Sequence, residues 1–295
     1  MINTNNANLT TPPIFDTFSI KEQLANAKKK LASISDSPTL DAELLLANCI
    51  QKNQTYLHTW PEKILKKEQQ ECFQHFLEKR LDDFPVAYLL GKKEFWTLDI
   101  LVTPDVLIPR PETELLVETA LDKITSIQKP RILDLGTGSG AIALALASER
   151  NDASIIACDN SRAALEVAHK NAIRNHIENQ VSFIQSNWFS NIEAQEFDLI
   201  VSNPPYIAPD DPHLLKTIRH EPITALIAEN TGMSDIDIII KSSYKFLKDK
   251  GWIIVEHGYD QSEKALDLYS SANYINAQSH KDLNDILRIS IAQKP

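Results

Sequence analysis

The chain is expected to be an α/β protein: a doubly wound parallel sheet preceded by a small helical bundle. Three observations carry this expectation. From Arg131 onward, short apolar runs of strand length alternate with helical patterns, as βαβ units require. Residues 16–88 show helical spacing instead. Three of the seven glycines, Gly136, Gly138 and Gly140, fall together where the first strand of the alternating region meets its first helix.

Residues 1–15 are polar and are assigned to a disordered tail. Ser19 and Glu22 form an S-x-x-E capping box that opens a helix with Leu24, Ala27 and Leu31 on one side. A second helix fits "TLDAELLLANCIQ". A third fits Pro61 to Asp82, where Leu65, Cys72, Phe73, Phe76 and Leu77 recur at helical spacing. In 89–109, the stretch "EFWTLDILVTPDVLIP" is β-rich and punctuated by proline, which predicts a hairpin or extended connector. "RPETELLVETALDKI" then starts a helix, with Pro111 suited to its first turn and Glu112 and Glu114 near the positive end of its dipole. In the α/β domain (110–295), "RILDLG", "SIIACD", "VSFIQS", "FDLIVSN" and "GWIIVEHG" read as strands. Ala141–Arg150, Arg162–Asn175, Asp235–Lys248 and Ser262–Ser271 read as helices, and two weaker strands follow near 275–280 and 286–292.

Composition narrows the function. Apolar residues make up 43% of the chain, enough for a sizeable core. Thirty basic residues against forty acidic ones give a net charge of −10, which argues against stable, non-specific grip of nucleic-acid backbone. Cys49, Cys72 and Cys158 are few, odd in number and without a C-x-x-C pair, so neither a disulfide framework nor a zinc site is expected. No apolar run approaches the ~18 residues of a membrane span, and the N-terminus lacks the layout of a signal peptide. A soluble, cytoplasmic protein with no metal is the expectation.

The glycine loop "GTGSG" lets the backbone turn sharply and lets a ligand lie against bare main chain at a helix N-terminus. The next strand ends at Asp159, placed to accept hydrogen bonds from ribose hydroxyls. The spacing is G-x-G-x-G rather than the dinucleotide G-x-G-x-x-G. "LDLGTGSG" resembles the cofactor loop of class I S-adenosylmethionine-dependent methyltransferases. That resemblance implies a Rossmann-like methyltransferase fold, S-adenosyl-L-methionine as cofactor, and donor-binding positions at Gly136, Thr137, Gly138, Ser139, Gly140 and Asp159.

"FDLIVSNPPY" is the fourth strand from Arg131 and ends in a stiff corner. In a doubly wound sheet the first and fourth strands commonly flank the crevice where ligands sit. An amide nitrogen is a poor nucleophile because its lone pair is delocalised. What a protein can do is hold the NH2 group by its hydrogens and aim the nitrogen. The Asn203 side-chain carbonyl and the Pro204 main-chain carbonyl are two such acceptors, and the Tyr206 ring can cover the flat face of the group. The plainer alternative is that Pro-Pro-Tyr merely terminates a strand.

"NPPY" is the motif of methyltransferases acting on planar-amine nitrogens. Together with "PVAYLLGKKEFWTLDILVTPDVLIPRPETE", "QSNWF", "DPHL" and "EPITALIA", it makes the chain resemble the HemK/PrmC family of peptide chain release factor N5-glutamine methyltransferases. The resemblance covers nearly everything after the tail. It implies methylation of the glutamine in the Gly-Gly-Gln motif of class-1 release factors, the bundle serving substrate docking. It implies that Asn203, Pro204 and Tyr206 are catalytic, that Asn203, Pro204, Pro205 and Tyr206 bind substrate, and that Trp188 and Asn203 join the donor-binding set. The chain departs from the family at Asn187, where an acidic residue is usual before "WF", and at "DLNDILR", which lacks the usual glycine. An N6-adenine-type DNA or RNA methyltransferase is the alternative. Arg110, Glu112 and Glu114 are expected to be mainly structural. His213, His220 and His257 lack metal spacing, Glu256 is not required as a base, and 207–232 is a candidate substrate-gripping flap.

Overall fold

The computed structural model describes residues 18–193, 195–211 and 220–295. The expected tail, His213 and part of the candidate flap lie outside them. The chain divides into two compact units between Leu90 and Gly91.

The first unit holds five helices: α1 (Ile20–Leu31), α2 (Pro38–Ile50), α3 (Gln54–Thr59), α4 (Lys67–Leu81) and α5 (Val86–Leu90). The capping box forms, with Ser19 N–H and Oγ both donating to Glu22 Oε2 at 2.8 Å. The helix expected from Pro61 begins only at Lys67. The Pro61 and Lys63 carbonyls instead accept the N–H groups of Lys21 and Ile20, which the first turn of α1 would otherwise leave unpaired. Leu31, Leu45, Leu46, Leu57, Phe73 and Leu77 fill the core. Against expectation, Cys49 and Cys72 form a disulfide. Packing of α2 on α4 brings their Cα atoms to 5.8 Å, within bridging range, and a separation of 23 residues gave no short motif to announce it.

The second unit opens with an antiparallel hairpin, β1 (Lys92–Phe95) and β2 (Leu98–Leu101). A 3-10 turn (Pro111–Thr113) leads into α6 (Glu114–Ile124). There follow β3 (Arg131–Leu135), α7 (Ala141–Glu149), β4 (Ser154–Asp159), α8 (Arg162–Arg174), β5 (Val181–Gln185) and β6 (Phe197–Ser202). The chain ends with α9 (Ser234–Ser243), β7 (Leu247–Glu256), α10 (Ser262–Ser271), β8 (Ile275–Lys281) and β9 (Leu287–Gln293). The helix expected to run to Lys248 therefore stops at Ser243, and β7 starts at Leu247, which pairs with Phe197.

The seven strands are ordered β5-β4-β3-β6-β7-β9-β8. Pairings from β5 to β7 are parallel, as expected, but β9 runs antiparallel to both β7 and β8. The reason is connection length: residues 282–286 are too few for the crossover that a parallel pair needs. Asp285, standing where the family's glycine is usual, takes the left-handed conformation itself (φ 61°). All of β6 is buried, as are Ile132–Leu135 of β3, as a sheet covered on both faces demands. Strand order reverses between β3 and β6, and Ser202 Oγ donates to the Leu135 carbonyl (2.8 Å), tying their ends together.

Candidate active site

The carboxyl ends of β3, β4 and β6 surround one cleft. Among the expected residues its walls include Gly136, Gly138, Asp159, Trp188, Asn203 and Pro205. A smaller cavity beside it is lined by Arg110, Asn203, Pro204 and Tyr206 with apolar neighbours. Asn203 lines both. Thr137, Ser139 and Gly140 are not on the walls; they hold the loop from beneath.

Hydrogen bonds to neighbouring strand ends build that loop. Gly136 and Thr137 N–H both donate to the Cys158 carbonyl at 2.9 Å, and Gly138 N–H donates to Asp159 Oδ2 at 2.9 Å. Gly140 caps α7 in the left-handed region (φ 84°), and a Cβ there would meet Ala168 Cβ at 3.2 Å. Thr137 Oγ1 donates to Asp134 Oδ2 (2.6 Å) under the loop. Burial pushes the Asp134 carboxyl up to about 7. Asp159 also accepts from Ser161 N–H (2.9 Å), and burial raises its pKa as well. Two N–H groups occupy part of its acceptor capacity, leaving lone pairs for hydroxyl donors at the cleft. A carboxylate beside a glycine loop that exposes bare main chain suits the ribose and amino-acid parts of a nucleoside cofactor.

Trp188 lies over this loop: a Cβ on Gly136 would stand 3.3 Å from its ring. Its own backbone is left-handed (φ 48°), uncommon for so bulky a residue and a conformation that clusters at functional sites. Three partners hold it there, none foreseen from the sequence: the Cys158 thiol donates to its carbonyl at 3.7 Å, and two others are closer. Ser186 Oγ donates to its carbonyl at 2.7 Å, and its indole N–H donates to Asp235 Oδ1 at 3.1 Å. Asn187, the departure from the family pattern, is exposed on the cleft wall.

At the end of β6 the Asn203 amide donates through Nδ2 to Thr113 Oγ1 at 3.1 Å. No hydrogen bond among the described residues uses Asn203 Oδ1 or the Pro204 carbonyl. The Tyr206 hydroxyl donates to Glu256 Oε1 at 3.4 Å, and its carbonyl accepts from Gln261 Nε2 at 2.9 Å. Burial, then the Glu256 charge, pushes the phenol up. Glu256 is buried, and burial lifts its carboxyl to about 7.

Arg110 faces the smaller cavity and pairs with the buried Glu221 at 2.5 Å; Glu221 also accepts Ile108 N–H at 3.1 Å. Glu114 is structural, accepting Trp96 N–H at 2.8 Å. His257 is buried with Nδ1 against the Gly258 carbonyl (2.8 Å), and burial lowers its pKa. Thr113, Glu221 and Asp235 carried only helix-start or loop signals in the sequence, because their partners stand 47 to 113 positions away.

Among the described residues, no group of His, Cys, Asp or Glu is arranged to hold a metal ion, and no helix is long and apolar enough to cross a membrane.

A family profile described as methyltransferase small domain matches residues 111–225, and one described as PrmC N-terminal domain matches 22–91. The chain is 44% identical over 94% of its length to the release factor glutamine methyltransferase of Coxiella burnetii, covering 99% of that protein. It is likewise 44% identical over 88% of its length to that of Escherichia coli, covering 93% of it. Among solved structures it is similar to the hMettl16 catalytic domain in complex with MAT2A 3′UTR hairpin 6 (TM-score 0.55, 18% identity, 79% of this chain and 84% of that one). A second is the Thermus thermophilus 16S rRNA N2 G1207 methyltransferase with AdoMet and guanosine (TM-score 0.52, 17% identity, 69% and 50%). At such identities these two speak for the fold alone.

Proposed function

The chain belongs to the family of release factor glutamine methyltransferases, and from that premise we propose that it methylates the side-chain amide N5 of the glutamine in the Gly-Gly-Gln motif of class-1 peptide chain release factors. S-adenosyl-L-methionine is the methyl donor. Bound in the cleft, it supplies an electrophilic methyl on a sulfonium that leaves as a neutral thioether, while the amide nitrogen gains the methyl and gives up one proton to water.

The protein's own part is positioning. Gly136 and Gly138 offer main chain to the donor, Asp159 accepts from its ribose, and Trp188 borders its base. Asn203 Oδ1 and the Pro204 carbonyl hold the two hydrogens of the substrate amide, and the Tyr206 ring covers its face. Such orientation supplies up to ~7–11 kcal/mol of a barrier. The observation that carries the reading is that neither carbonyl has a hydrogen-bond partner among the described residues, at a corner where the two cavities meet. The helical unit serves substrate docking, and the protein works in the cytoplasm without stable grip of nucleic acid.

The test uses labelled donor and three acceptors: a release factor carrying Gly-Gly-Gln, its Gln→Asn variant, and duplex DNA. Label on the first alone is expected. Label on DNA would favour the adenine-type alternative and overturn the acceptor assignment.

A further inference from the structure

A carboxamide turned over keeps its shape and reverses its polarity. At Asn203 that choice decides whether the cleft receives an acceptor, which can hold a substrate NH2, or a second donor, which cannot. Thr113 makes the choice: its Oγ1 takes the Nδ2 proton at 3.1 Å. A hydroxyl can equally donate to a carboxamide oxygen, so it enforces one polarity only when its own proton is committed elsewhere. Glu256 is a buried carboxyl that can accept that proton, and Thr113 stands near enough to favour its charged form. It ends β7 one residue beyond Val255, the register partner of Ser202, so Glu256 and Asn203 leave adjacent strands side by side. Its Oε1 accepts the Tyr206 hydroxyl at 3.4 Å, and its buried Oε2 has no hydrogen-bond partner among the described residues, so it can take a further proton donor.

We propose that Glu256 is a positioning residue that sets the polarity of the Asn203 carboxamide through Thr113 and holds the Tyr206 ring through its hydroxyl. The proposal rests on the methyltransferase reading above. An ionised Glu256 can only accept, so Thr113 points its proton at Glu256 and receives Asn203 Nδ2. A neutral Glu256 carries a proton of its own; it can donate to Thr113, which then donates to Asn203 Oδ1 and turns the NH2 into the cleft. The groups that bear on this carboxyl come from every side. Arg288 of β9 and the Thr113 and Tyr206 hydroxyls favour its charge, and Glu112 of the 3-10 turn opposes it. Arg110 bears on the Tyr206 phenol, and the buried His257 follows it in the chain. With burial the largest influence, the changeover falls near pH 7.

The experiment measures methyl transfer to a Gly-Gly-Gln release factor from about pH 6 to 9 for wild type, Glu256→Gln, Thr113→Val and Thr113→Ser. Wild-type kcat is expected to climb through about pH 7 and level off. Glu256→Gln should flatten that inflection at a lower plateau. Thr113→Val should lose about tenfold in kcat with release-factor KM and donor affinity within about threefold, and Thr113→Ser should recover most of the rate. An inflection kept by Glu256→Gln, a wild-type kcat in Thr113→Val, or a Thr113→Ser variant as poor as Thr113→Val would each overturn the proposal. If wild type labels no glutamine acceptor, the acceptor assignment fails instead. The relay is then still decided by the 15N signals of the Asn203 side-chain amide. They should move through pH 7 in wild type and stay fixed in Glu256→Gln; signals that move alike in both would refute it.

Discussion

Asn203→Ala separates chemistry from folding and from donor binding. Among the described residues this side chain makes one hydrogen bond, to Thr113 at 3.1 Å. Losing it costs about 0.5–1.5 kcal/mol, a fall in Tm of about 1–5 °C for a chain of this size. The side chain lines the donor cleft at its border with the substrate cavity, so donor affinity is expected to change less than about threefold. The larger effect lies in the transition state. Removing one preorganised polar group aimed at the reacting centre typically lowers kcat by about 10²–10³, or ~2.7–4 kcal/mol. Single-turnover transfer of labelled methyl to a release factor, with donor titration by calorimetry, reads the two quantities separately. A folded Asn203→Ala protein that binds donor normally and transfers within tenfold of the wild-type rate would refute the positioning argument.

Three further outcomes follow from the geometry. Gly140→Ala combines left-handed strain with a Cβ 3.2 Å from Ala168, so it should cost about 2–4 kcal/mol and lower Tm on the order of 10 °C by calorimetry. Asp134 has a folded pKa raised to about 7, so the stability it contributes is complete below its unfolded pKa and drains away as pH rises through 7. The neutral isostere Asp134→Asn does not ionise; its Tm relative to wild type should therefore improve from about pH 4 to about pH 7 and then level off, and a constant difference would show that the buried acid does not titrate there. At Asp285 (φ 61°), Ala should be less stable than Gly by about 1 kcal/mol, checked by paired urea melts.

The fold was legible because its signals are local. Apolar strand-length runs, the Ser19–Glu22 box and the glycine turn each act within a few residues, where side-chain period and backbone sterics decide structure. The errors arose where distant pairing overrode local pattern. Pro61–Lys66 left the helix to satisfy the first turn of α1, and Leu247 joined a strand because Phe197 paired with it. Cys49 met Cys72 only once two helices had packed. The cleft shows the same division. Gly136, Asp159 and Asn203 announced themselves at strand ends, and parallel register brought them around one space. Sequence alone determined which chemical groups would stand at those strand ends, since each lies in a motif a few residues long. Only the tertiary structure decided how they and their neighbours are aimed: Thr113, Glu256 and Asp235 reach Asn203, Tyr206 and Trp188 across 47 to 90 positions, and a hydrogen bond, unlike a turn, leaves no trace in the spacing of the chain.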